Sequence, residues 1–205
     1  VLIGGAGDDL LAGGEGDDRL EGGDGTDTVS YAAAAAAVTV DLLAGEASGE
    51  GSDTLVSIEN VTGSAFDDTL SGTAGVNVID GGAGFDTVSY ATASADMRID
   101  LTTGQAGAGN FAGFTAGALI DQLSNVEAVI GSAQNDVILA IDGARLDGGD
   151  GNDLLIDAAG RVWVTDFGLA QEIDPESDLT DDRVTGTLRY MAPERFHGIC
   201  NEASD

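Results

Sequence analysis

Lysine is absent from this chain of 205 residues, and seven arginines face 37 carboxylates, for a formal net charge of −30. A field of that sign repels nucleic acid and anionic membrane surfaces, and it opposes compaction by self-repulsion. Two kinds of chain tolerate it: those that stay unfolded and those that bind cations. The single cysteine, Cys200, excludes an intrachain disulfide. Aromatic residues make up only 5% of the chain, so a compact core of large side chains is hard to build. No apolar run is long enough to span a bilayer. The chain opens on Val1 without a signal-type segment, which reads as a piece of a longer protein.

What the chain does have is glycine, 32 residues of it, and the glycines are periodic. Residues 4–30 divide into GGAGDDLLA, GGEGDDRLE and GGDGTDTVS. Each fits G-G-x-G-x-D-x-U-x, where U is a large aliphatic residue. The sixth positions are Asp9, Asp18 and Asp27; the eighth are Leu11, Leu20 and Val29. The pattern returns at 63–89 as GSAFDDTLS, GTAGVNVID and GGAGFDTVS, with Asp68, Asn77 and Asp86 in sixth place. It returns again as GSAQNDVIL and GGDGNDLLI within 131–156, carrying Asp136 and Asp153. A longer module is nested over this one, since GG-x-G-x-DTVSY occurs at both 22–31 and 81–90. SIENV-TGSA at 57–65 is likewise echoed by NVEAV-IGSA at 125–133.

The spacing suits a hard cation. Glycines at the first, second and fourth positions are expected to allow positive φ and to expose backbone carbonyls. The sixth-position Asp adds a carboxylate inside the turn, and calcium takes about six to eight such oxygens. The following x-U-x is a three-residue strand with one inward side chain. Stacked turns would thus alternate a ladder of cation sites with a ladder of Leu, Val and Ile.

These repeats resemble the RTX (haemolysin-type calcium-binding) family. The resemblance implies an all-β fold: a right-handed parallel β-roll, or β-solenoid, with two nonapeptides per turn and calcium held between turns. Carried over by position, Asp9, Asp18, Asp27, Asp86 and Asp153 are carboxylate ligands, and Gly4, Gly13, Gly22, Gly81 and Gly148 offer carbonyls. Asp68, Asn77 and Asp136 match less well, because their turns lack the second glycine. It further implies folding coupled to calcium, and secretion from a bacterium as part of a larger protein. The segments 31–62 and 90–130 read as strand-rich spacers without chemistry, separating repeat blocks at 1–30, 63–89 and 131–157. The run Ala32–Ala37 tempts a helix reading, but its counterpart ATASAD at 91–96 is not helix-like, so extended or irregular structure is expected.

Near residue 158 the composition changes. Both prolines and the only Trp, His and Cys lie beyond it. LLIDAAGRVWVTDFGLA followed by VTGTLRYMAPERF resembles the activation segment of a bacterial serine/threonine protein kinase. Asp166-Phe167-Gly168 matches its magnesium-binding DFG and Ala192-Pro193-Glu194 its APE, with Thr180 or Thr185 where activation-loop phosphorylation falls. A kinase fragment is therefore the alternative reading. Phosphoryl transfer also needs a phosphate loop, a strand lysine and a catalytic loop, and a chain without lysine holds no ATP-pairing lysine. Catalysis is not expected of this chain, and residues 158–205 are expected to be loosely ordered. The overlap of GNDLLID with a kinase-type NLLLD suggests that two genes were joined at this seam.

Overall fold

A computed structural model of the chain describes residues 1–165, and all the regular structure there is β-strand. The nonapeptide explains this directly. A repeat offers three extended residues with one aliphatic side chain between glycine-rich turns, too short for a helix and unable to bury its apolar face alone. Stacking solves the problem. Leu2 lies beside Leu20 and Leu11 beside Val29, in parallel register two nonapeptides apart, so successive strands fall alternately on two sheets.

The first sheet runs in the order β1 (Leu2–Ala6), β3 (Arg19–Asp24), β7 (Ser52–Val56), β6 (Glu46–Ser48), β5 (Thr39–Asp41), β9 (Thr69–Ser71), β11 (Thr87–Ser89), β16 (Ala128–Ile130) and β18 (Arg145–Asp147). The second runs β2 (Leu10–Leu11), β4 (Thr28–Ser30), β8 (Asn60–Thr62), β10 (Val78–Asp80), β15 (Ile120–Ser124), β13 (Gln105–Asn110), β12 (Met97–Asp100), β17 (Val137–Leu139), β19 (Asp153–Ile156) and β20 (Val162–Thr165). A short β14 (Gly113–Phe114) pairs with β13. The architecture is the β-roll that the repeats imply.

Between the sheets the eighth-position residues form the core. Leu20, Val29, Leu70, Ile79, Val88 and Ile138 are wholly shielded from solvent. Burying each contributes about 1.5–3 kcal/mol, and Tyr31, Tyr90 and Met97 from the spacers pack into the same cluster. The Ala32–Ala37 stretch forms turns and bends, as its counterpart suggested.

The spacers belong to the same stack. β7 pairs in parallel with β3, and β8 with β4, so residues 52–62 lie directly on the first repeats. Within each spacer an antiparallel insertion interrupts the parallel order: β5–β6–β7 in the first sheet and β12–β13–β15 in the second. The sequences DLLAG and DLTTG set the hairpin bends. Asp41 accepts from the Ala44 amide and Asp100 from the Thr102 amide, after which Gly45 and Gly104 take left-handed φ. β20 closes the described chain antiparallel to β19, with Leu154 opposite Val164 and Ile156 opposite Val162 in the backbone register. The DFG-like, APE-like and threonine positions from Asp166 onward lie outside the described residues.

If the aliphatic ladder holds the sheets together, Ile79→Ala should cost about 2–5 kcal/mol. Urea denaturation of the calcium-loaded chain would check this, and a loss under 1 kcal/mol would contradict the role given to the ladder.

Candidate metal centre

Each repeat divides its turn among three jobs. Second- and fourth-position glycines do the stacking. Gly23 and Gly25 sit at φ 116 and 144, and a β-carbon on either would strike the carbonyl oxygen of Gly5 or Gly7 in the turn beneath. Only glycine satisfies both the left-handed backbone and that close approach. First-position glycines serve otherwise. Gly4, Gly13, Gly22, Gly81 and Gly148 do not adopt left-handed φ, which corrects the expectation that all three glycines need it. They are glycine because the sixth-position carboxylate of their own repeat folds back over them. A β-carbon at Gly4 would lie 2.6 Å from Asp9 Oδ2, and one at Gly13 would lie 2.9 Å from Asp18 Oδ2. The same collision occurs with Asp27, Asp86 and Asp153 at Gly22, Gly81 and Gly148.

The acidic residues staple adjacent turns in both directions. Asp27 Oδ1 accepts the amide of Asp9 at 2.8 Å, and Asp86 Oδ1 accepts that of Asp68 at 2.8 Å. Asp153 Oδ1 accepts the Asp136 amide at 3.0 Å. The fifth position binds the other way: Asp8 Oδ1 accepts from the Thr26 amide, and Asp67 Oδ1 from the Phe85 amide, both at 2.9 Å. The result is a ladder of carboxylates along each edge of the roll.

What the second carboxylate oxygen does separates two classes of turn. In the intact repeats, Oδ2 of Asp9, Asp27 and Asp86 is buried and has no hydrogen-bond partner. Asp27 and Asp86 are fully buried as residues, and Asp9 is half-buried. In the worn repeats a Ser or Thr replaces the second glycine and closes the turn on itself. Ser64 donates its amide to Asp68 Oδ2 and its hydroxyl to Oδ1 at 2.8 Å; Ser132 does the same for Asp136, its hydroxyl bond being 2.9 Å long. Thr73 donates amide and hydroxyl to Asn77 Oδ1, each at 2.9 Å. Asp18 is half-buried, and its amide donates to Asp53 Oδ1. Asp153 is buried over Gly148.

Four acidic residues in these ladders went unnoticed in the sequence. Asp53 and Asp121 occupy sixth positions in the spacers. Asp53 takes the Asp18 amide on Oδ1 and the Tyr31 hydroxyl on Oδ2; Asp121 takes the Asn77 amide and the Tyr90 hydroxyl. Glu59 and Glu127 accept the amides of Asp27 and Asp86. The signal for Asp53 was present: SGEGSDTLV at 48–56 is a nonapeptide with serine in first place.

Calcium fits the intact turns. An ionised oxygen buried without a partner costs several kcal/mol, and a hard cation removes that cost. Among the described residues no three Asp, Glu, His or Cys side chains converge on one point. A cation here would draw on one or two carboxylates and on backbone carbonyls, the donor set that calcium accepts and softer metals do not. Burial pushes the Asp86 carboxyl above its ordinary value, and the nearby charges of Asp68, Glu127 and Asp67 push the same way against the Asp68 amide bond. That crowding is what a divalent ion would relieve. No helix among the described residues is long and apolar enough to cross a membrane.

The comparison with protein families agrees. The model of the RTX calcium-binding nonapeptide repeat matches four copies, within residues 1–30 and 57–88.

The tyrosine-closed carboxylates give a pH test. Burial raises Asp121 above its ordinary value, only partly offset by the bonds from Asn77 and Tyr90. Because the folded value lies above the unfolded one, the ionised form penalises the fold at neutral pH. The penalty is relieved as pH falls through the folded value toward the unfolded one near about 4. With the roll kept folded by saturating calcium, wild type should gain stability relative to Asp121→Asn as the pH is lowered from 7 to about 4. Thermal melts at the two pH values would show it, and equal slopes would refute it.

Proposed function

We propose that this chain, whose matched segments are RTX-type calcium-binding repeats, is a structural module that calcium completes, working as part of a larger secreted bacterial protein. The observation that carries this reading is the pair of fully buried carboxylates, Asp27 and Asp86, each with one oxygen bound to the neighbouring turn and the other bound to nothing. Without a cation, such turns oppose their own stacking, and the net charge of −30 adds to the opposition. Bound calcium would supply positive charge and oxygen coordination at those turns. The chain's own contribution is geometric: Asp9, Asp27 and Asp86 fold Oδ2 over a first-position glycine, and at Gly22 and Gly81 the Ser57 and Asn125 carbonyls approach the same spot. Asp18 and Asp153 occupy equivalent places. Asp68 and Asp136 stand apart, because Ser64 and Ser132 already occupy their oxygens. We assign those turns to the fold rather than to the ion.

Folding and binding are then linked, since every ion held by the roll and not by the open chain shifts the equilibrium toward the roll. Short blocks with few complete sites suit affinities of about 10⁻⁴–10⁻³ M, the range of extracellular calcium modules. This fits a protein that stays open where calcium is scarce and closes outside the cell. The repeat module is structural and performs no chemistry.

Circular dichroism during a calcium titration tests the reading. A large gain of β-signal is expected by millimolar calcium, and a spectrum that does not change on addition would overturn it. Asp27→Asn with Asp86→Asn should raise the midpoint calcium concentration by about tenfold, since affinity follows ligand charge. Asp68→Asn should leave the midpoint within about twofold.

A further inference from the structure

The two intact repeats with the clearest unpartnered carboxylates are each covered by a turn of a different kind. From Leu55 to Val61, and from Leu123 to Val129, the inward aliphatic residues are six apart rather than nine. These shortened turns bring Glu59 and Glu127 to the sixth position of the ladder, above Asp27 and Asp86. Glu59 Oε2 accepts the Asp27 amide at 2.9 Å, and Glu127 Oε2 accepts the Asp86 amide at 3.0 Å. In each, the residue two before the glutamate takes the left-handed backbone that glycine has elsewhere: Ser57 at φ 51 and Asn125 at φ 52, the only two such non-glycine residues among those described. Buried Ile58 and Val126 pin the turns between them.

That backbone turns a carbonyl onto the open carboxylate. A β-carbon at Gly22 would collide with the Ser57 carbonyl oxygen and Asp27 Oδ2 at once; one at Gly81 would collide with the Asn125 carbonyl oxygen and Asp86 Oδ2. Over each first-position glycine, therefore, a carbonyl and an unpartnered buried carboxylate oxygen converge. A second carboxylate, Glu59 or Glu127, lies in the turn above, bonded to the amide of the same aspartate. The arrangement is built twice, from separate segments, once on each edge of the roll: Glu59 precedes β8 of the second sheet and Glu127 precedes β16 of the first.

We propose that the turns at 57–59 and 125–127 each complete a site for a hard divalent cation of calcium size: Ser57 carbonyl and Glu59 with Asp27, and Asn125 carbonyl and Glu127 with Asp86. This rests on the calcium reading above and extends the ligand set beyond the nonapeptide. Two carboxylates beside carbonyl oxygens in a shielded space repel each other unless a cation lies between them.

Isothermal titration of the full chain with calcium chloride, at one pH, decides the matter. Glu59→Gln with Glu127→Gln keeps an oxygen for each amide bond but removes both charges. The double variant should lose two calcium equivalents, or bind those two about tenfold more weakly, charge being the main control on affinity. Glu46→Gln, at an exposed site, should titrate like wild type. Wild-type stoichiometry and affinity in the double variant would overturn the proposal while leaving calcium binding intact. A wild-type chain that takes up no calcium would overturn the functional reading itself. Should the double variant fail to reach the calcium-loaded spectrum, each single variant is expected to lose one equivalent, and a single variant that loses none refutes its site.

Discussion

A carboxylate has two oxygens, and the roll uses one of them to hold its own turns together. At the sixth position of Asp27 or Asp86, Oδ1 accepts an amide from the turn beneath, which fixes the side chain inward and removes it from water. The other oxygen is thereby buried at the same depth with nothing to bond. The hydrogen bond that specifies the stack thus creates the charge that opposes it. Net stabilisation by such a bond is about 1–3 kcal/mol, less than the cost of an unpaired buried carboxylate, so a cation bound there would tip the balance toward the stack.

The worn repeats show how the same position behaves when that dependence is removed. Replacing the second glycine by Ser64, Thr73 or Ser132 gives up the left-handed turn and supplies an amide and a hydroxyl to the sixth-position side chain. That side chain, Asp68, Asn77 or Asp136, is then bonded from within its own repeat. Degeneration of the motif is not simple loss here. It exchanges a turn with an open carboxylate oxygen for one whose sixth-position side chain is bonded, while the eighth-position residue (Leu70, Ile79 or Ile138) stays fully buried. The apolar ladder is common to all turns and the ionic one is local.

This division explains what could be read from the sequence. The period of nine, the inward Leu, Val and Ile, and the inward Asp each depend on one residue type at a fixed spacing, so the roll and the intact turns were legible. The spacers were not. Asp53 hides in SGEGSDTLV, where one changed glycine breaks the pattern, and Glu59 and Glu127 fall in turns shortened to six residues. Their place in the ladder shows only when β7 is seen stacked on β3 and β8 on β4. At the first-position glycines the expected positive φ is absent: a close approach by Asp Oδ2 leaves the same mark on the sequence as a left-handed backbone.

The antiparallel insertions put this logic under the most strain, because a ladder stops where they enter. At β5–β6–β7 the first sheet loses its regular next turn above Asp53; at β12–β13–β15 the second loses it above Asp121. An intact repeat there would leave a carboxylate oxygen with no stacked carbonyls to share an ion. In both places a tyrosine from the preceding intact repeat fills the vacancy, Tyr31 donating to Asp53 Oδ2 at 2.9 Å and Tyr90 to Asp121 Oδ2 at 3.0 Å. On the far side of each insertion the ladder resumes with a serine-closed turn, where Asp68 accepts the Val38 amide and Asp136 the Met97 amide. The insertions are thus bounded on both sides by carboxylates that the protein satisfies itself. Among the described residues, the unpartnered oxygens of Asp27 and Asp86 lie within the stacks, each covered by a further turn, while that of Asp9 lies at the end where β2 begins the second sheet, and the sequence module carries Tyr, Glu and Ser at fixed places around GG-x-G-x-D.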